Sequence, residues 1–208
     1  MTSIYGTEDA LKPKRSAGEA WQTPKPTSAG HAPLSADGLP QSPVTVLFEV
    51  KNLRSWIYPS AKDLYQLLHK AVVLQTAHPD QPIVPVFVCR KAHKTTFWMA
   101  QQLGFITIDM GIQYAGDIKE AELLEVRNEL HFRDLARGKG PSIRVQDRLS
   151  NTLPRTSPTF AQQWAGTVSE TSMTALIKKL RYSSRHEHDV LLADLRQANI
   201  DMGRRGGW

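Results

Sequence analysis

Apolar and polar positions alternate with a period of two from Val44 to Asn52, and the segment is rich in β-branched and aromatic residues, which predicts a β-strand. Val44, Val46, Phe48 and Val50 then share one face, while Thr45, Leu47, Glu49 and Lys51 share the other. The period changes after a loop over Asn52–Pro59. Leu64, Leu67, Leu68, Ala71 and Leu74 recur at helical spacing, so a helix is predicted, with Ser60 as its N-cap. Gln66, His69 and Lys70 fall off that stripe, and Gln66 and Lys70, four apart, face back toward Glu49.

A turn at His78–Pro82 leads into a nearly unbroken apolar run, Ile83–Cys89, as expected of a strand covered on both faces. Pro85 counts against a central place for it, because proline donates nothing to a ladder. A helix over Thr95–Leu103, capped by Gly104, and a strand over Phe105–Met110 complete a strand–helix–strand–helix–strand series. Such alternation implies right-handed crossovers and a largely parallel α/β segment. From Gly116 onward the chain becomes charged and helical. Helices are predicted over Ala121–Ala136, ended by Gly138, and over Thr159–Trp164, Ser172–Leu180 and Asp189–Ala198. The last six residues, Gly203–Trp208, read as a flexible tail, and His186-x-His188 as a solvent-exposed pair.

Residues 1–43 are dominated by Pro, Ser, Thr, Gly and Ala and carry too little apolar material to offset the entropy of ordering. They read as a tail or linker. The chain thus divides into a weakly ordered segment 1–43, an α/β core 44–115 and a helical region 116–208. No apolar run approaches the roughly 20 residues needed to span a bilayer, and the N-terminus lacks a secretory signal pattern. One cysteine, Cys89, excludes an internal disulfide and suits a reducing cytoplasm. The net charge of +6 resides wholly after residue 125, where 14 Lys and Arg stand against 8 Asp and Glu. That imbalance suggests contact with phosphate. Arg144, Arg148 and Arg155, among small polar residues, suit contacts to a duplex backbone.

The chemistry concentrates at Glu49-x-Lys51, a carboxylate and an ammonium on one face of an otherwise buried strand. Burying charges is costly unless they are paired, bind a metal or do chemistry. An ion pair alone would account for the two residues. With Gln66 on the following helix and an apolar strand after it, the pattern resembles the PD-(D/E)xK nuclease superfamily, in its restriction-endonuclease-like and RecB-like branch. The resemblance spans roughly residues 44–114. It implies a three-layer core, a mixed sheet flanked by helices, with a helical C-terminal extension. It also implies a Mg2+ (or Mn2+) ion held by Glu49, the Val50 carbonyl and a carboxylate from the preceding strand. The nearest candidate for that carboxylate is Asp37, in Ser35–Pro40, which itself reads as a turn.

In this reading Glu49, Lys51 and Gln66 are catalytic: Lys51 orients or deprotonates the attacking water, and Gln66 holds the geometry. Asn52, Arg54, Arg90, Lys91 and Lys94 would contact nucleic acid, because α/β sheets place ligands at the C-terminal ends of their strands. The expected activity is metal-dependent hydrolysis of DNA, by a homodimer or within a larger DNA-processing complex. A catalytically inactive nucleic-acid-binding module on the same fold stays open, as does a structural or partner-binding α/β protein.

Overall fold

A computed structural model describes residues 28–32, 43–138 and 142–208. The elements are, in order, β1 (Ser28–Ala32), β2 (Val44–Lys51), α1 (Lys62–Ala77), β3 (Ile83–Cys89), α2 (Lys94–Leu103), β4 (Ile106–Asp109) and β5 (Gln113–Tyr114). Then come α3 (Glu120–Leu130), β6 (Leu135–Ala136), α4 (Ile143–Asp147), a π-helical turn (Arg148–Thr152), α5 (Leu153–Ser169), α6 (Thr171–Tyr182) and α7 (Arg185–Asp201). The main sheet has the order β1-β2-β3-β4. β1 is antiparallel to β2, whereas β2–β3 and β3–β4 are parallel, which makes the sheet mixed. The fold is therefore α/β.

Alternation along β2 decides which layer each side chain joins. Val44 and Val46 face a cluster with Val84, Val86, Val88 and Ile108 that is closed by Val145, Leu153 and Ala161 from α4 and α5. Leu47 faces the opposite way, with Phe87, the apolar stripe of α1, and Met99 and Leu103 of α2. Helices thus cover both faces, and residues 83–89 are buried throughout, as their continuous apolar run anticipates. Trp164 of α5, Met173, Ile177 and Leu180 of α6 and Leu195 of α7 belong to the same buried cluster as Leu47. Helices α4 to α7 are thus built into the core of the sheet domain instead of being appended to it, whereas α3 contributes nothing to either cluster.

Several local expectations are corrected. Strand β1 lies inside the stretch read as a tail, and it pairs residue by residue with β2 from Ser28↔Phe48 to Ala32↔Val44. α1 begins at Lys62 behind Ala61, with no side-chain cap, so Ser60 is not its N-cap. Pro85 sits in a central strand, yet β4 joins only from Val86, so at position 85 the strand has β2 alone as a neighbour. The helix predicted to reach Ala136 stops at Leu130, where His131 takes a left-handed conformation, and Leu135–Ala136 pair with β5 instead. α5, α6 and α7 all run longer than their apolar stripes suggest. His188 is buried and bonded to the Ser183 hydroxyl, so it does not form a solvent-exposed pair with His186. The last residues are not free either. Trp208 is buried, its indole donates to Gln102 at 3.2 Å, and Asn199 bonds the Arg205 carbonyl.

Cys89 is buried, and burial, followed by the Asp109 charge, pushes its thiol up to about 12, which marks it as structural. Among the described residues no helix is long and apolar enough to cross a membrane.

Gly104 joins two of the layers. It ends α2 at φ 86, and a Cβ there would lie 2.2 Å from the backbone nitrogen of Trp164 in α5. Neither the dihedral nor the close approach tolerates a side chain. Gly104→Ala should cost about 2 kcal/mol or more in chemical denaturation. A variant as stable as the wild type would show that α5 does not pack there.

Candidate functional site

α1 runs back across the face of β2 that carries Leu47, Glu49 and Lys51. Its residues Asp63, Gln66 and Lys70, at spacings of three and four, form one stripe. That stripe meets the end of β2 in reverse order. Asp63 Oδ1 lies 3.3 Å from Lys51 Nζ, which donates to Gln66 Oε1 at 3.3 Å. Lys70 Nζ lies 3.0 Å from Glu49 Oε2, and Lys51 Nζ lies 3.1 Å from Glu49 Oε1. Glu49 is 3% exposed and Lys70 4%. Both oxygens of this buried carboxylate are therefore held by ammonium groups.

Burial pushes the Glu49 carboxyl up, but the hydrogen bonds and charges of Lys70 and Lys51 outweigh it and leave it below its ordinary value. Lys51 shifts upward: burial opposes its charge, and Glu49 and Asp63 more than compensate. The structure thus brings together the three residues expected to be catalytic, Glu49, Lys51 and Gln66. It puts Lys70 against Glu49, the direction expected of its helical face, and adds Asp63, which no motif marked. Both stand on the helical stripe of Gln66, and that spacing was the available signal.

A divalent ion fits this arrangement poorly. A divalent ion at Glu49 would share the carboxylate with two ammonium groups, at 3.1 Å from Oε1 and 3.0 Å from Oε2, whose charges repel it. Among the described residues no three His, Cys, Asp or Glu side chains come close enough to hold a metal. β1, the strand beside Glu49's own, reads Ser-Ala-Gly-His-Ala and has no carboxylate, and Asp37 lies outside the described residues. Val50, one residue before the end of β2, has its side chain exposed on the opposite face from Glu49. The described residues thus offer a metal two carboxylates, Glu49 and Asp63, each already paired with an ammonium.

A second cluster lies past the strand ends. The loop leaving β2 is tied to the one leaving β3 by a parallel bridge, Ile57↔Ala92, in which Ile57 N donates to Lys91 O at 3.0 Å and His93 N to Ile57 O at 2.9 Å. Most of the residues expected to touch nucleic acid meet here, and they hold a small lobe formed by β5, α3 and β6. Asn52 donates to the Tyr114 carbonyl at 3.2 Å. Arg54 bonds Gln113 at 3.1 Å and Asp134 at 2.6 Å, with its guanidinium 3.7 Å from the centre of the Phe132 ring. Arg90 also reaches Asp134, and Lys91 lies 3.4 Å from it. Arg90 is 3% exposed and further bonded to the carbonyls of Leu53 and Arg54, so it shapes the edge from within. Lys94, at the start of α2, stands apart from this hub, exposed, with its ammonium 5.5 Å from the Trp98 ring centre.

Asp134, on which three cations converge, had no signal in the sequence. It lies 80 residues from Arg54 and 44 from Arg90 and belongs to no motif. Of the arginines expected to line a duplex, Arg144 pairs with Asp109 at 3.2 Å. No protein-family model, curated protein or solved structure matches the chain.

Burial pushes the Asp134 carboxyl up, but the hydrogen bonds and charges of Arg54 and Arg90 bring it down to about 2, from an ordinary 3.8. A depressed carboxyl contributes its full stability above 3.8 and loses it as pH falls toward 2. Urea titrations should show stability falling across that window, and Asp134→Asn should flatten the fall. An unaltered pH profile would mean the three cations do not hold this carboxylate. At the inner cluster, Lys70→Met leaves Glu49 without one of its two ammonium partners and should cost about 3 kcal/mol. Adding Glu49→Gln should recover most of that loss, and a double variant no more stable than the single one would contradict the buried pairing.

Proposed function

We propose that the chain binds nucleic acid through its phosphate backbone, at the edge where β2 and β3 end. The observation that carries this reading is the convergence of Arg54, Arg90 and Lys91 on the single carboxylate of Asp134. Arg90 is buried against Asp134 and matches its charge, which leaves the partly exposed Arg54 and Lys91 as two positive charges in excess at the surface. Phosphate oxygens match such a set in charge and in their ability to accept from a guanidinium. The position agrees with where α/β sheets usually take ligands. The resemblance to restriction-endonuclease-like domains supports the same reading, through the mixed sheet and the Glu-x-Lys strand followed by a glutamine-bearing helix. DNA is the substrate class that this resemblance favours.

One observation favours a second reading, a Mg2+-dependent deoxyribonuclease. Gln66, Lys51 and Glu49 form a connected chain of polar contacts, the association that the resemblance implies for a catalytic centre. The binding reading stands first because both Glu49 oxygens are engaged by lysines and the described residues complete no metal site.

The test is titration of a labelled DNA duplex and of a single strand at several salt concentrations, with and without Mg2+. Binding should weaken linearly in log–log form as salt rises. A double variant, Arg54→Ala with Lys91→Ala, should bind at least about tenfold more weakly, with a slope reduced by about 0.9 for each phosphate no longer neutralised. Absence of salt-dependent binding would refute the proposal. Cleavage with Mg2+ that Glu49→Gln abolishes would establish the second reading instead.

A further inference from the structure

The same edge carries apolar surface that phosphate binding does not use. Trp56 and Tyr58 are each 47% exposed, and Trp98 on α2 is 43% exposed. Exposed aromatic side chains of this size call for an explanation, since large aromatic side chains are normally buried. Three rings, Trp56, Tyr58 and His93, are arranged in relation to one another. His93 stacks on Tyr58 with ring centres 4.9 Å apart and an interplanar angle of 27°, and the centre of Trp56 lies 6.5 Å from His93. Each indole also carries a lysine, Lys91 at 5.7 Å from the Trp56 ring centre and Lys94 at 5.5 Å from that of Trp98. The Ile57↔Ala92 bridge holds the two loops that contribute Trp56, Tyr58 and His93. His93 in turn caps α2, from which Lys94 and Trp98 project one turn apart.

We propose that this shelf stacks the unpaired bases of a single nucleic-acid strand, with Lys91 and Lys94 taking the phosphates between them. The inference rests on the nucleic-acid reading above and narrows it to a substrate class. An exposed ring gains most from a flat π-face, and within a duplex the base faces are stacked on one another. Strand, looped and frayed substrates present such faces, whereas a continuous helix offers them only at its ends. The charge agrees: Lys94 has no carboxylate partner among the described residues, and Lys91 shares Asp134 with two arginines. An acid-lined protein partner would match the lysines but would leave the aromatic faces without a counterpart of the same shape.

The experiment compares three fluorescein-labelled ligands of equal length by anisotropy, using the full chain: oligo-dT, an abasic strand and a duplex. Oligo-dT should bind more tightly than both others and should quench tryptophan emission. Trp56→Ala and Trp98→Ala should each weaken oligo-dT binding by roughly 5- to 100-fold while leaving abasic-strand affinity unchanged. Both rings are exposed, so the variants should keep the wild-type circular dichroism and melting temperature. Equal affinity for oligo-dT and the abasic strand overturns the shelf. If the duplex still binds through Arg54 and Lys91 in that case, the backbone reading survives it. If no ligand binds and tryptophan emission changes only with protein concentration, both readings fall and the shelf is an interface between copies of the chain.

Discussion

The parallel register between β2 and β3 underlies everything at the functional edge. Lys51 stands opposite Cys89, so the two strands end level and their loops leave side by side. One further bridge, Ile57↔Ala92, extends the pairing past the sheet. Shifting one strand by a single residue would carry Glu49 out of the layer beneath α1 and into the α5 layer, because side chains alternate faces. It would also separate Arg54 from Arg90. Packing fixes that register. Leu47 and Phe87 have to face α1, while Val46 and Val86 have to face α5.

Two charge clusters sit on this frame, and they solve the burial problem differently. Around Glu49, two carboxylates and two ammonium groups balance, and Gln66 completes the set. A pair as deeply buried as Glu49–Lys70 recovers little more than its own desolvation, so its value lies in holding α1 against the end of β2. Around Asp134 the charges do not balance, and the surplus is positive. A balanced cluster serves architecture, and an unbalanced one at a surface attracts a counter-charge. The lobe of β5, α3 and β6 rests on the second cluster through Asn52 and Arg54, so an arriving phosphate would compete with Asp134 for the same cations.

Much of the frame was legible in the sequence because it rests on local periodicity. The alternation from Val44 to Lys51, the stripe from Leu64 to Leu74 and the continuous run over residues 83–89 each state their element and their covered faces. Helical spacing put Gln66 and Lys70 on one face, and the resemblance, not periodicity, brought Gln66 to Lys51. Beyond residue 115 local pattern has less force. His131 breaks a helix that composition would continue, because Leu135 and Ala136 gain a ladder with β5. Asp134 could not be found, since its partners are brought to it only by tertiary packing. Trp208 looked free for a similar reason: the glycines before it predict flexibility, but a buried indole and its hydrogen bond to Gln102 outweigh them. Trp56, Tyr58 and Trp98 lie in plain view in the sequence, yet an aromatic residue gives no sign of exposure until the fold places it.

Nucleic acid seated at the edge where β2 and β3 end would shield the two loops that leave those strands. Amide hydrogen exchange, followed with and without a bound oligonucleotide, tests this most directly. Exchange should slow over residues 52–58 and 90–98, with α6 and α7 unchanged. Protection confined to α6 and α7, or none at saturating oligonucleotide, would contradict that placement.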